Sequence, residues 1–304
     1  MKLIYQIIYS PAINYILRNI NKLVSGLVPK IKLPPAGIIK IKLSGGETIK
    51  LKTNQTDFVA FWVYWKGLYT YEYTSIFEKI ISKVNGFVDI GSNGGLYSLI
   101  AAKKSENIKI LAFDPSNAAN YFVNENIRIN GFSDKITFFK YAMSDKTETL
   151  NFFEVKNRKY PYLKYNLGGS SSLINHPKLF NQISVQAYSF DNFLAENPEY
   201  NFEIDFIKID AEGAEPNIIK GMKATIEKYK PIIVCEILMD NVGGEIEKLF
   251  SDLGYQFFLN RGKDLVPVKQ ILKNNSDDEI YNYFLVHPSK MKIVEEFITK
   301  AKNN

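Results

Sequence analysis

Phe87-Val-Asp-Ile-Gly-Ser-Asn-Gly-Gly-Leu-Tyr-Ser98 decides how this chain folds. An apolar run containing the β-branched Val88 and Ile90 ends in a glycine-rich turn and reopens as a helix through Leu96, Leu99 and Ile100. That pattern builds a nucleotide crevice at the carboxyl end of a parallel strand. A second strand, Ile110-Leu-Ala-Phe-Asp114, closes on an acid, whose two acceptor oxygens suit ribose hydroxyls.

The spacing of the glycines narrows the ligand. Dinucleotide folds use G-x-G-x-x-G to bring the backbone up to a pyrophosphate, whereas Gly91, Gly94 and Gly95 are spaced otherwise and Asn93 takes the second place. Asp89, two residues before Gly91, sets a negative charge beside the turn. Such a charge repels phosphate and suits a cation such as the sulfonium and ammonium of S-adenosyl-L-methionine.

Outward from this stretch, Ser75 to Ile81 reads as a helix, with Ile76, Phe77, Ile80 and Ile81 on one face. Residues 109–114, Ile136 to Met143, Asp205 to Asp210, 231–237, Tyr255 to Leu259 and Tyr281 to Val286 read as strands, and 118–129, 215–229 and 244–253 as helices. The alternation predicts an α/β fold: a Rossmann-like, seven-stranded, mostly parallel sheet with helices on both faces. Gly91, Asp114, Ala142 and Asp210 then all fall at the ligand-binding ends of strands. Thr149 to Val155 and Ile183 to Phe190 alternate as an inserted hairpin, joined by a loop carrying Tyr160, Tyr162, Tyr165 and His176. Loops of that length often act as lids, so substrate recognition is expected there, with the tyrosines stacking on a sugar face or packing on the protein.

Residues 1–82 form an N-terminal helical and β-hairpin extension, and 83–304 a catalytic domain with an insertion at about 148–190. The hairpin alternates about Gly45-Gly46. Before it, Ile13, Ile16, Leu17, Ile20 and Leu23 make an amphipathic stripe that caps the domain, pairs with another subunit as a homo-oligomer, or makes peripheral contact with a membrane. Capping is the simplest of these. Tyr9-Ser-Pro-Ala interrupts the apolar character that a cleaved leader needs, and no run approaches the ~20 apolar residues of a membrane span.

A hydrophobic fraction of 46% with 14% aromatics excludes a disordered chain. The net charge of +6 reads as spread over the surface and mildly favours anionic partners. No basic stripe interleaved with aromatics is evident, so nucleic acid is not expected. The single cysteine, Cys235, sits in an apolar run as a core residue, excludes an internal disulfide and fits a reducing, cytoplasmic compartment.

A second chemical cluster is Ile207-Lys-Ile-Asp-Ala-Glu-Gly-Ala-Glu-Pro216, which gathers Lys208, Asp210, Glu212 and Glu215 at a strand-to-helix turn. Asp210 and Glu236, from neighbouring strand ends, form a pair able to orient a hydroxyl or hold a hard cation such as Mg²⁺ or Mn²⁺. Glu215 reads as charge compensation at a helix start.

With Trp65-Lys-Gly-Leu-Tyr-Thr-Tyr-Glu72, Asn126 and Asn130, Ala142-Met-Ser-Asp145, Gly169-Ser-Ser-Ser-Leu173 and Pro231-Ile-Ile-Val-Cys-Glu236 in this order, the chain resembles the FkbM family of S-adenosylmethionine-dependent methyltransferases over roughly residues 60 to 287. The resemblance implies a class I methyltransferase sheet and O-methylation of a small molecule or sugar, either a nucleotide-linked sugar or a surface-glycan unit. It places Asp89, Gly91, Ser92, Asn93, Gly94 and Tyr97 at the methionine moiety, Asp114 at the ribose, Ala142 and Met143 at the adenine, and Glu72 over the cofactor. Ser92 and Asp114 stand where the family more often has Ala and Glu. The hydroxyl's proton is expected to leave to His176, or the hydroxyl to be polarised by a divalent ion on Asp210 and Glu236. Lys208 and Glu212 complete the candidate catalytic set. RNA methylation and a cofactor-binding scaffold without turnover are the alternatives.

Overall fold

The computed structural model describes residues 2–168, 180–237, 240–271 and 282–299. Helices α1 (Lys2–Ile8) and α2 (Pro11–Leu23) precede the hairpin of β1 (Gly37–Lys42) and β2 (Thr48–Thr53). Helix α3 (Phe58–Lys66) was not expected. Its residues are apolar on all sides and give no amphipathic stripe to read. It starts where Asp57 caps it, Oδ1 accepting from the Ala60 N–H at 2.9 Å.

The alternating core then runs α4 (Thr74–Ile81), β3 (Gly86–Ile90), α5 (Leu96–Lys104), β4 (Lys109–Phe113), α6 (Asn117–Asn130) and β5 (Ile136–Phe139). After β6 (Ala142–Met143), β7 (Glu148–Val155) and β8 (Phe180–Tyr188) come α7 (Phe190–Glu196), β9 (Phe206–Ile209), α8 (Glu215–Lys220), α9 (Lys223–Tyr229), β10 (Ile232–Glu236), α10 (Asp240–Phe250), β11 (Gln256–Asn260), β12 (Leu265–Val268), β13 (Asn282–Val286) and α11 (Met291–Val294).

The main sheet has the order β12-β11-β13-β10-β9-β3-β4-β5. Strands β10, β9, β3, β4 and β5 are parallel, and the three at the other end are antiparallel. This is the expected mostly parallel sheet with one strand more. The addition is β12, whose Pro267 disguised it, and an edge position tolerates the missing N–H. Alternate residues face opposite layers: Phe87 and Phe206 join Phe77 and Phe284 on one side, while Val88, Ile207 and Phe113 join Phe190 and Phe193 on the other. Cys235 is buried in this second layer, as expected of a core residue.

Two further expectations are corrected. The strand expected over 136–143 splits after Phe139, because Ala142 and Met143 pair instead with Ala187 and Tyr188 in the small sheet β6-β8-β7. The helix expected over 215–229 breaks at Gly221, where the Ser144 carbonyl fills the space that a side chain would need. The Gly221 carbonyl turns to accept from the Asp191 N–H at 3.0 Å.

Asn126 and Asn130 dock the N-terminal hairpin by imitating a strand edge. The Lys52 N–H donates to Asn126 Oδ1 at 2.6 Å and the Lys50 N–H to Asn130 Oδ1 at 2.8 Å, while the two amide groups donate back to the Lys52 and Lys50 carbonyls. Helix α2 docks the other way from expectation. Its buried residues are Asn14 and Arg18: Asn14 Oδ1 accepts from the Ala36 N–H at 2.7 Å, and the Arg18 guanidinium donates to the carbonyls of Ala36 and Ile38 at 3.0 and 2.8 Å. The stripe expected to cap the domain therefore faces solvent. The charge is not spread either, for residues 1–46 hold seven of the 38 Lys and Arg and none of the 32 Asp and Glu. Among the described residues no helix is long and apolar enough to cross a membrane.

Candidate active site

A cavity of about 340 Å³ opens at the carboxyl ends of β3, β4, β9 and β10. Its floor is the turn between β3 and α5, where Gly91 (φ 75°) and Asn93 (φ 47°) both adopt left-handed backbone. Only glycine fits at 91, since a Cβ there would meet the Asp210 carbonyl. The Gly91 and Ser92 N–H groups donate to the Phe113 carbonyl at 2.9 and 3.1 Å, tying the turn to β4. Asn126 Nδ2 holds the far side through the Gly94 carbonyl at 2.9 Å. Ser92 Oγ is buried in the cavity wall without a hydrogen-bond partner among the described residues.

Asp114 stands at the end of β4, facing this turn. Its Oδ2 accepts from the Asn93 N–H at 3.0 Å and its Oδ1 from the Ser116 N–H at 2.9 Å. Burial raises its pKa and these bonds oppose the rise. One lone pair on each oxygen remains for a diol.

Asp89 lies elsewhere than expected. It is 1% exposed and is not part of the cavity wall. Its Oδ2 accepts from Ser98 Oγ at 2.6 Å, and its Oδ1 lies 3.4 Å from Lys208 Nζ. Asp89 and Lys208 are register partners on the adjacent parallel strands β3 and β9, which puts both side chains on one side of the sheet. Lys208 Nζ also lies 3.3 Å from Asp210 Oδ2 and donates to the Gly91 carbonyl at 2.9 Å. Burial alone would lower this lysine's pKa, but Asp210, Asp89 and Glu72 more than reverse it and keep the ammonium charged.

The acids that do line the cavity are Asp57, Glu72, Asp114, Asp210, Glu212 and Glu236. Glu72 has φ 42° and accepts from Tyr97 Oη at 2.8 Å. The Tyr97 ring stacks on Tyr73 with centroids 4.9 Å apart. Asp210 and Glu236 come together at the neighbouring ends of β9 and β10: burial, then the charge and hydrogen bond of Asp210, push Glu236 up to about 10. Glu212, in left-handed backbone at φ 53°, is pushed up to about 7 by burial and then by Asp210 and Glu215. Glu215 closes the β9–α8 turn, Oε1 accepting from the Ala211 and Gly213 N–H groups at 3.0 and 3.1 Å.

Ala142 and Met143 line the cavity. His176 and the Gly169-Ser-Ser-Ser-Leu173 segment lie outside the described residues. The loop tyrosines mostly pack on the protein. Tyr160 sits edge-on to Tyr5 and Tyr9, Tyr162 Oη accepts from Gln55 Nε2 at 2.9 Å, and Tyr165 stacks on Tyr121 with centroids 4.8 Å apart. His287 caps a short helical turn by accepting from the Ser289 N–H at 3.1 Å, which is structural work. Leu51, Asp57, Phe58 and Tyr71 join the cavity wall from the N-terminal extension without having been anticipated. An Asp directly before the apolar run at Phe58 is the cap signal that pointed to that wall.

A glycine turn, a strand-end acid and an acidic second turn around one crevice define a class I methyltransferase. The chain belongs to the FkbM methyltransferase family, whose domain model, Methyltransferase FkbM domain, matches residues 89–257. It is similar to Methyltransferase sdnD of Sordaria araneosa, 25% identical over 204 residues covering 58% of this chain and 75% of the relative. Methyltransferase 1 of Beauveria bassiana is 26% identical over 143 residues, 44% of this chain and 57% of the relative. Among solved structures, methyltransferase FkbM from Methylobacillus flagellatus KT aligns at TM-score 0.44 and 13% identity over 66% of this chain and 43% of that one. The O-methyltransferase from Bacillus cereus in complex with SAH aligns at TM-score 0.39 and 12% identity over 70% and 80%. The chain thus spans less than half of the Methylobacillus protein.

Proposed function

We propose that the protein is an S-adenosylmethionine-dependent O-methyltransferase acting on a sugar hydroxyl, nucleotide-linked or within a surface glycan. The observation that carries this reading is the cavity wall itself. It joins an unpartnered buried hydroxyl, Ser92 Oγ, to a two-oxygen acceptor, Asp114, and to acids that favour a cation over a phosphate. Gly91, Asn93, Gly94 and Tyr97 shape the methionine end of such a ligand, and Ala142 and Met143 offer an apolar face to its adenine. Glu72, anchored by Tyr97, closes the side facing α4. When bound, S-adenosylmethionine supplies an electrophilic methyl group.

The chain's own residues then position a hydroxyl and take its proton. Glu212 lines the cavity with a pKa near the working range, as a general base requires. Asp210, held between Lys208 and the protonated Glu236, accepts a hydrogen bond from the acceptor and fixes its approach to within the ~3–3.5 Å of a reactive geometry. A divalent ion fits this set poorly. An ammonium lies 3.3 Å from Asp210, and among the described residues no group of three or more His, Cys, Asp or Glu is arranged to hold a metal. Support for a sugar comes from a second cavity that shares Ala118 and Asn166 with the first. Its wall of amide, lysine and tyrosine side chains, among them Asn157, Lys156, Lys164 and Tyr165, suits hydroxyls and phosphate.

The test is release of S-adenosylhomocysteine against a panel of nucleotide sugars, with and without chelator. Turnover with a sugar, unaffected by chelator, is expected. Tight cofactor binding with no turnover on any sugar would turn the reading towards a scaffold, and activity that Mg²⁺ restores after chelation would return the metal route.

A further inference from the structure

The helix that points its polar side inward leaves its apolar side uncovered among the described residues. On α2, Asn14 and Arg18 are buried while Ile13, Ile16, Leu17, Ile20 and Leu23 are exposed. The exposure continues in both directions: Leu3 is 70% exposed on α1, and from the last residue of α2 onward Leu23, Leu27 and Ile31 are exposed at 87%, 85% and 63%. A run of aliphatic side chains this extensive is not ordinary surface for a water-facing protein.

The first 46 residues, which include this segment, hold seven basic side chains and no acidic one. Lys22, Lys30 and Lys32 are exposed among these aliphatics, Lys40 and Lys42 follow on β1, and no Asp or Glu occurs before Glu47. Helical aliphatics flanked by lysines, with acids excluded, are the chemistry of an interfacial segment that sinks its apolar face below anionic headgroups while its ammonium groups stay at their level. A second copy of the chain is the poorer occupant, since apposing two such faces brings lysine against lysine with no carboxylate to answer it.

We infer that residues 3–32 form a docking surface for an anionic lipid bilayer. The surface also reaches the cavity region. Tyr5 and Tyr9 grip Tyr160 edge-on, with centroids 5.4 Å away in each case, and Tyr160 belongs to the loop after β7 whose Asn166 and Leu167 line the first cavity. A bilayer bound to α1 would lie beside that loop.

The test uses the full chain and co-sedimentation with vesicles of phosphatidylcholine alone or mixed with phosphatidylglycerol. The protein is expected to partition onto the mixed vesicles and to be released by salt. Lys30→Ala and Lys32→Ala should each weaken that partitioning about fivefold and leave thermal unfolding unchanged. Leu23→Glu with Leu27→Glu should weaken it about 100-fold. No sedimentation with either vesicle, or equal sedimentation with both, would overturn the inference. So would a dimer, seen by analytical ultracentrifugation, that vesicles do not dissociate and the Leu23→Glu, Leu27→Glu variant does. None of these readouts needs turnover, so they stand or fall apart from the proposed reaction.

Discussion

The Asn93 N–H donates to Asp114 Oδ2 at 3.0 Å. The contact joins the two halves of the crevice, since one residue belongs to the glycine turn after β3 and the other ends β4. An acid that orders the turn and also offers its remaining lone pairs to a ribose has two tasks at once. Asp114→Ala should weaken S-adenosylhomocysteine binding about 10- to 100-fold, the worth of a hydrogen bond to a charged group or somewhat more. Isothermal titration calorimetry reads this directly. Binding unchanged from the parent would remove Asp114 from the site.

Lys208 is a buried cation between two carboxylates, 3.4 Å from Asp89 and 3.3 Å from Asp210. Lys208→Met should cost about 3–5 kcal/mol, because it strands buried charge. Adding Asp89→Leu should recover part of that loss, since the stranded charge goes too. Urea unfolding of the single and double variants makes the comparison, and a double variant weaker by the sum of two independent losses would deny the pairing.

The pH dependence follows from Glu212 and Glu236, both raised from an ordinary value of 4.5. A raised carboxyl keeps its proton in the folded chain where the unfolded chain would release it. The stability it contributes is therefore fully present below 4.5 and is lost as pH rises, through about 7 for Glu212 and about 10 for Glu236. Rate should move oppositely. With Glu212 as base, kcat/KM rises through about 7, and Glu212→Gln should flatten that limb and lower the rate about 100-fold. A profile that keeps its limb in the Gln variant would move the base elsewhere.

Asn126 joins β2 to the glycine turn through the Lys52 backbone and the Gly94 carbonyl. Asn126→Ala should destabilise the fold by about 2–3 kcal/mol through the backbone groups left unpaired. It should also loosen cofactor binding, which Asn130→Ala, lacking the Gly94 contact, should not. Thermal unfolding of both variants with and without S-adenosylhomocysteine separates the two effects.

Much of the sheet was legible because each strand is short, apolar and bounded by a turn, as Phe87 to Ile90 shows. What escaped was set by contacts distant in sequence. The helix breaks at Gly221, where the Ser144 carbonyl leaves room for no side chain, and no local pattern records that approach. The site was legible where backbone geometry demands a residue type, as at Gly91. It was misread where side-chain direction decides, since Asp89 turns from the cavity to meet Lys208 across the sheet. The polar docking of α2 was illegible for a related reason: periodicity reveals that a helix has two faces, and Asn14 and Arg18 reveal which one is inside only through the carbonyls at Ala36 and Ile38.

The most direct test of the account is calorimetry of the full chain with S-adenosylmethionine set beside a nicotinamide dinucleotide. Saturable binding of S-adenosylmethionine at one site, weakened in Asp114→Ala, with no binding of the dinucleotide, is the predicted result. A chain that binds the dinucleotide and leaves S-adenosylmethionine unbound would contradict it.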